Sequence, residues 1–383
     1  MDPGTTLSEH AARAHGQPRT AAGLAPNAPT HGNNFDFLRW LAATFVLLSH
    51  EYAVLGRGGE EPILGPTGGF TTFGTLGVDM FFVMSGCLVT ASMARGTGLT
   101  FFIASRALRI LPGLFVALLV STVAVGLFAT TLPLADYLRD GRTWRYVWRG
   151  LTMHDLQWTL PGAFERLPFA GVVNGSLWSL WPEVQMYAAV VTLGAVASLT
   201  GASRRVVLLA GMGAVAVIAW RSHPDLAGKL LEGPTLPRLA LFFAFGAMLE
   251  MLGWRGQRGL VVCAAAIVCA ILLRHSMLFV PAFDLAVALC VVAFAYAPLP
   301  WLPHWARFGD WSYGMYVYAF PVQQLVTLYG PRLPLPLHFA LAYTITVVLA
   351  ALSWHLVEAP ALRLKSLLRR TAAPVLGVPQ PRG

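Results

Sequence analysis

Apolar runs of about 20 residues recur along this chain from Phe35 to Val357, separated by short polar connections. A helix needs about that length to cross the hydrocarbon core of a bilayer, and no soluble core has room for so many such runs. Only 12% of the residues are charged, against about 25% in a soluble domain, which points the same way. The first run begins at Phe35 and has no small-residue cleavage site, so it reads as a retained span and not as a signal peptide.

Scanning for such runs places spans near 35–54, 76–94, 110–131, 180–200, 205–221, 237–253, 259–274, 279–297, 311–329 and 337–357. The expected fold is therefore an all-α integral membrane protein with about ten transmembrane helices. Orientation follows from Lys and Arg in short loops, which are enriched on the cytoplasmic side. With the N-terminus inside, the inner segments hold Arg13, Arg19, Arg95, Arg106, Arg109, Arg204, Arg205, Arg255, Arg258 and Arg307, and the tail adds a further basic cluster from Arg363 to Arg382. The short outer loops hold fewer: Arg57, Arg221, Lys229, Arg238, Arg274 and Arg332. Both termini are thus expected in the cytoplasm. Residues 1–34 read as a disordered cytoplasmic tail, 35–365 as the transmembrane domain, and 366–383 as a basic, Pro-containing cytoplasmic tail.

The net charge of +9 sits between apolar segments, so it speaks for topology and anionic lipid and against a nucleic-acid partner. Cys87, Cys263, Cys269 and Cys290 all lie inside apolar runs, with neither a disulfide framework nor metal-ligand spacing. The long outer segment, 132–179, carries Trp144, Trp148 and Trp158. These rings suit either an interfacial belt or a flat platform for sugar rings.

Charged side chains within spans are costly and mark wet cavities or bundle interiors. The first span holds Asp36, Arg39 and His50. Arg39 and His50 are eleven residues apart, about three turns, so they share a face about 16 Å apart along the axis. Asp36 and Arg39 have the spacing of an i,i+3 ion pair. Asp79, in GVDMFFVMSG, precedes a run of apolar residues and needs a partner; His50 is within geometric reach, and helix N-terminal stabilisation is the other reading. Arg106 and Arg109, in RALRILP, would share one face of a short helix at the cytoplasmic surface. Either positive-inside topology or a guanidinium clamp for a phosphate-bearing donor explains the pair. Glu183 follows NGSLWSLWP at the outer end of the fourth span, where it could serve simply as a helix cap. SYGMYVYAFP opens the ninth span, and the tenth reads as a helix stopped before Pro360.

Taken in this order, these segments resemble the membrane-bound acyltransferase-3 family, over roughly residues 35–365. The stretch from Leu160-Pro161-Gly162 into Asn174-Gly175-Ser176 is most similar to members tied to exopolysaccharide and surface-glycan modification. The resemblance implies a ten-helix core in the bacterial inner membrane and an acyl-CoA donor, usually acetyl-CoA. It implies transfer of an acyl group to a hydroxyl of an extracytoplasmic glycan such as an exopolysaccharide or O-antigen. Carried over by position, His50 would be the general base and Arg39 its companion. Asp79 and Glu183 would be functional acids, and Arg106 and Arg109 would hold the donor. Asp36, Ser176, Trp178, Tyr316 and Tyr318 would line the substrate path. Many members have a histidine before the Phe-Pro of the ninth span, where this chain has Ala319; Tyr316 or Tyr318 would then take over its role. An acyl-enzyme on Ser85 or Cys87 is the mechanistic rival. A flippase for a lipid-linked sugar, or an acyltransferase for a small secreted metabolite, is the functional one.

Overall fold

The computed structural model describes residues 33–96, 98–222, 236–254, 256, 258–276, 278–299 and 302–372. Most of the tails expected at 1–34 and 366–383, and Lys229 and Arg255 of the loop-charge pattern, lie outside these residues. Among the described residues the regular structure is helical, with no strand. The first half contains α1 (Phe35–Val54), α2 (Phe73–Ala94), α3 (Leu99–Phe128), the short α4 (Leu134–Arg139) and α5 (Gly141–Thr152), and α6 (Leu180–Thr200). The second half contains α7 (Arg204–Arg221), α8 (Leu236–Leu252), α9 (Gly259–Leu272), α10 (Phe279–Ala295), α11 (Ser312–Tyr329), α12 (Leu335–Ser353) and α13 (Ala359–Ala372).

A helix occupies each of the ten segments singled out by hydropathy. Among the described residues, four helical stretches are long and apolar enough to cross a membrane by length and composition: α2, α3, α6 with its lead-in from Leu177, and α12 continued to Leu367. α9 and α10 are shorter apolar helices. α1 carries Asp36, Arg39 and Glu51 within its 20 residues, which lowers its hydropathy and signals that it faces something polar.

Close helix contact organises the centre. A Cβ on Gly86 of α2 would lie 2.0 Å from the Phe243 carbonyl oxygen, and one on Gly246 of α8 would lie 2.0 Å from the Val83 carbonyl oxygen. The two backbones approach at a distance only glycine permits, as small residues allow in membrane bundles. The start of α2 is fixed by Thr72, whose Oγ1 accepts from the Thr75 N–H at 3.1 Å, and by buried Glu61, which accepts from the Phe73 N–H at 2.5 Å.

Two elements differ from expectation. Arg106 and Arg109 lie inside the 30-residue α3 and not on a separate surface helix, because no breaker stands between Gly98 (φ +85°) and Pro112. Pro112 itself is accommodated within the helix. The tenth helix does not stop before Pro360. A π-helical turn, Trp354–Glu358, leads straight into α13, and Pro360 falls in the first turn, where its missing N–H is tolerated. The 132–179 segment is folded: it contains α4 and α5, and Thr130 pairs with Ala163 in an isolated bridge.

Candidate active site

A cavity of about 120 Å³, with charged and hydroxyl side chains set among apolar ones, lies between α1, α2, α3, α6 and α11. Arg39, Arg106, Arg109, Glu183 and Tyr316 all line it, together with Ser85, Ser179, Tyr187 and Tyr313. Six of the residues singled out from sequence, these five and Ser85, therefore converge on one space, although they are drawn from five helices.

The cation side of the cavity rests on carboxylates. Arg39 binds Asp36 at 2.9 Å, the i,i+3 pair expected, and also Asp310 at 3.1 Å. Arg109 binds Asp310 at 2.6 Å and lies 3.8 Å from buried Glu358. Asp310 stands just ahead of α11 and also accepts from the Ser312 hydroxyl at 2.5 Å. Burial would raise its pKa, but Arg109 and Arg39 outweigh burial and hold the carboxyl down at about 2. Ser353 donates to Glu358 at 3.0 Å, and Tyr318 lies beside both. Arg106 is different. Its guanidinium carbon lies 5.7 Å from the Phe102 ring and 5.9 Å from the Tyr187 ring, and its Nε is buried with no hydrogen-bond partner. It has no carboxylate partner among the described residues. Of the two arginines expected to hold a donor, Arg109 is thus already neutralised and Arg106 remains available to an anion.

Glu183, at the start of α6, is more than a helix cap. It accepts from the Tyr187 hydroxyl and, at 3.4 Å, from Ser85 Oγ. Ser85 therefore has a carboxylate beside it, which sequence spacing did not suggest. The Cys87 thiol is buried and points to the Gly246 carbonyl at 3.2 Å. Across the cavity the Tyr316 and Ser179 hydroxyls meet at 2.5 Å.

His50 lies at the other end of α1, about 16 Å from Arg39 along the axis. Its ring meets Phe320 edge-on at 5.1 Å, and its Nδ1 is buried without a hydrogen-bond partner. The 132–179 segment closes over this end. Gln324 of α11 donates to the carbonyls of Phe169 and Val172 at 2.8 and 2.7 Å, and Phe169 stacks edge-on against Phe320 at 5.5 Å. Asn174 donates to the Val317 carbonyl at 2.8 Å and accepts from the Ser176 N–H at 3.1 Å, which pins the Asn-Gly-Ser turn to α11. Ser176 is fully buried and its hydroxyl has no partner, so it is held within the turn, while Trp178 packs half-buried against the core.

The contact between His50 and Asp79 that the sequence left open is not formed. Asp79 is fully buried and is held by Arg238 of α8, with bonds of 2.7 and 3.2 Å, and Asp284 of α10 stands 3.8 Å from the same guanidinium. A buried guanidinium must be matched by carboxylate, and this demand takes Asp79 out of reach of the imidazole. Arg238 was counted among loop cations; it is only 2% exposed within the bundle. No hydrogen bond joins His50 to Glu183 among the described residues either.

A second buried polar group flanks His50 and escaped sequence reasoning. Glu51 is hydrogen-bonded to His338 Nδ1 and accepts from Gln323 Nε2 at 2.6 Å, while His338 Nε2 meets Thr327 Oγ1 at 3.1 Å. Glu51, Gln323 and His338 are fully buried. They join α1, α11 and α12, across separations of 272 and 287 residues that no local motif encodes.

A helical membrane bundle with charged side chains gathered in an internal cavity defines the class. The acyltransferase-domain family matches residues 33–355, and the chain belongs to that family. It is 30% identical to an O-acetyl transferase of Shigella phage Sf6 over 334 residues, covering 85% of this chain and 95% of the relative. It is 29% identical to Nodulation protein 10 of Rhizobium leguminosarum bv. viciae over 371 residues, covering 88% and 95%. No solved structure gives a significant match.

Proposed function

We propose that this protein is an O-acyltransferase of a bacterial plasma membrane. It takes an acyl group, most simply acetyl, from cytoplasmic acyl-CoA and places it on a hydroxyl of an extracytoplasmic carbohydrate. In this reading both termini are cytoplasmic and ten helices cross the bilayer. The observation that carries the proposal is the cavity that joins Arg106, which has no carboxylate partner among the described residues, to Glu183, Ser85 and Tyr316. A donor's phosphates would meet Arg106 from the α1 N-terminal side, with Arg109 and Arg39 fixed behind it by Asp310. From there the donor's acyl-bearing arm would run along α1 toward His50.

His50 acts as the base that removes the acceptor's proton during attack on the thioester carbonyl. Its buried, unpartnered Nδ1 leaves the ring free to orient on the substrate. Glu51, one residue on, is locked to His338 and Gln323 and holds that turn of α1 in place. Electrons flow from the acceptor oxygen to the carbonyl carbon, the C–S bond breaks, and the thiolate of CoA leaves and takes a proton. Direct transfer is the reading adopted because His50 lies at the end covered by residues 169–176; an acyl-enzyme on Ser85 is its rival, since Glu183, 3.4 Å from Ser85 Oγ, stands where a general base would. The Sf6 relative's name, O-acetyl transferase, supports acetyl as the group moved. Purified protein incubated with radiolabelled acetyl-CoA and a polysaccharide acceptor should release free thiol and label the acceptor. Label trapped on the protein would favour the acyl-enzyme, and an absence of thiol release would favour transport of a lipid-linked sugar.

A further inference from the structure

A second and much larger cavity, of about 1410 Å³, opens on the opposite face of α1 and α2. It exceeds the roughly 300–1,000 Å³ of a small-molecule site. Its walls are apolar, with Leu76, Met80, Phe283, Val287 and Phe294 among them, and no Asp or Glu lines it among the described residues. The wall supplied by α10 runs from Phe279 to Phe294, about 22 Å at helical rise. That exceeds half of a hydrocarbon core about 30 Å thick, so the groove is deep enough for one leaflet's lipid tail. All its polar cations sit at one end, where α7 and α9 finish. Arg221 and Arg274 are exposed there, Arg274 Nε donates to His275 Nε2 at 2.9 Å, and Trp220 stands beside Arg221. Neither arginine has a carboxylate partner among the described residues.

We infer that this groove is a binding site for a membrane phospholipid of net negative charge. The tail fills the apolar trough, and the phosphate is held at the rim by Arg221 and Arg274. The charge pattern selects this occupant. An apolar helix from a partner would need no cations at one end, and a neutral lipid would leave two guanidinium groups without a counter-charge. Arg is the side chain suited to phosphate, through paired N–H donors. Trp220 has the position of an interfacial aromatic at headgroup level. The inference does not depend on the acyl-transfer reading, since the groove shares no lining residue with the cavity that holds Arg106 and Glu183.

The test is native mass spectrometry of the delipidated full-length protein titrated with dioleoyl phosphatidylglycerol and, separately, with dioleoyl phosphatidylcholine. Wild type should retain one phosphatidylglycerol more tightly than phosphatidylcholine. The Arg221→Gln/Arg274→Gln double variant should bind phosphatidylglycerol at least about tenfold more weakly, with phosphatidylcholine unchanged. The Arg221→Lys/Arg274→Lys variant should recover part of the loss. Equal retention of the two lipids by wild type, or a Gln variant within about twofold of wild type for phosphatidylglycerol, would overturn the assignment.

Discussion

Replacing Arg238 by Leu separates a structural role for Asp79 from a catalytic one. Arg238, Asp79 and Asp284 are all buried, with the guanidinium 2.7 Å from one carboxylate and 3.8 Å from the other. Removing one partner of such a pair costs about 3–5 kcal/mol, because the charge left behind has neither water nor a counter-ion. Here two carboxylates lose the cation that both face, so the upper part of that range applies, eased by protonation of one of them. At about 2 °C per kcal/mol for a large domain, the melting temperature in detergent should fall by roughly 8–10 °C. Asp79→Asn leaves Asp284 to balance Arg238 and should cost less, about 1–3 kcal/mol, while acyl transfer persists below the melting transition. The assay is paired: thermal unfolding by tryptophan fluorescence, and thiol release from acetyl-CoA at 20 °C. The reasoning is refuted if Arg238→Leu melts with wild type, or if Asp79→Asn is fully stable but inactive. The second result would return Asp79 to the chemistry.

Other expectations follow from the same contacts. Gly86→Val should lower stability by about 1–3 kcal/mol, since any side chain there strikes the Phe243 carbonyl; purified yield and melting temperature report it. Glu183→Gln should reduce acyl transfer by about 100-fold or more at unchanged membrane abundance, measured by thiol release from the purified variant. The Asp310 carboxyl has a folded-state pKa of about 2, below the ordinary 3.8, so its contribution is present above pH 3.8 and is lost as pH falls through 2. That loss amounts to about 2 kcal/mol, and Asp310→Asn should flatten the acid-unfolding curve across that window.

The positions of the helices were legible because apolar length is a local property: each of the ten runs carries its own signal. The gathering of Arg39, Arg106, Arg109, Glu183 and Tyr316 was legible only as a set of unexplained polar residues, and packing was needed to show a shared cavity. Asp79 illustrates the limit. A carboxylate ahead of five apolar residues demands a partner, but the partner is 159 residues away, in a helix whose Arg238 looked like a loop cation. His338 and Asp310 left no trace for the same reason, since each gains meaning only from residues on other helices. Glu358 was read as part of a helix end; the π-helical turn that aims it at Arg109 has no sequence signature of its own.

The central claim is acyl transfer by way of His50, and a complementation experiment meets it directly. The gene is deleted and restored as wild type or as His50→Ala, and base-labile acetyl groups on the cell-surface polysaccharide are measured with both proteins at equal membrane abundance. The account predicts that deletion removes acetyl groups and that only wild type restores them. Full restoration by His50→Ala would contradict it.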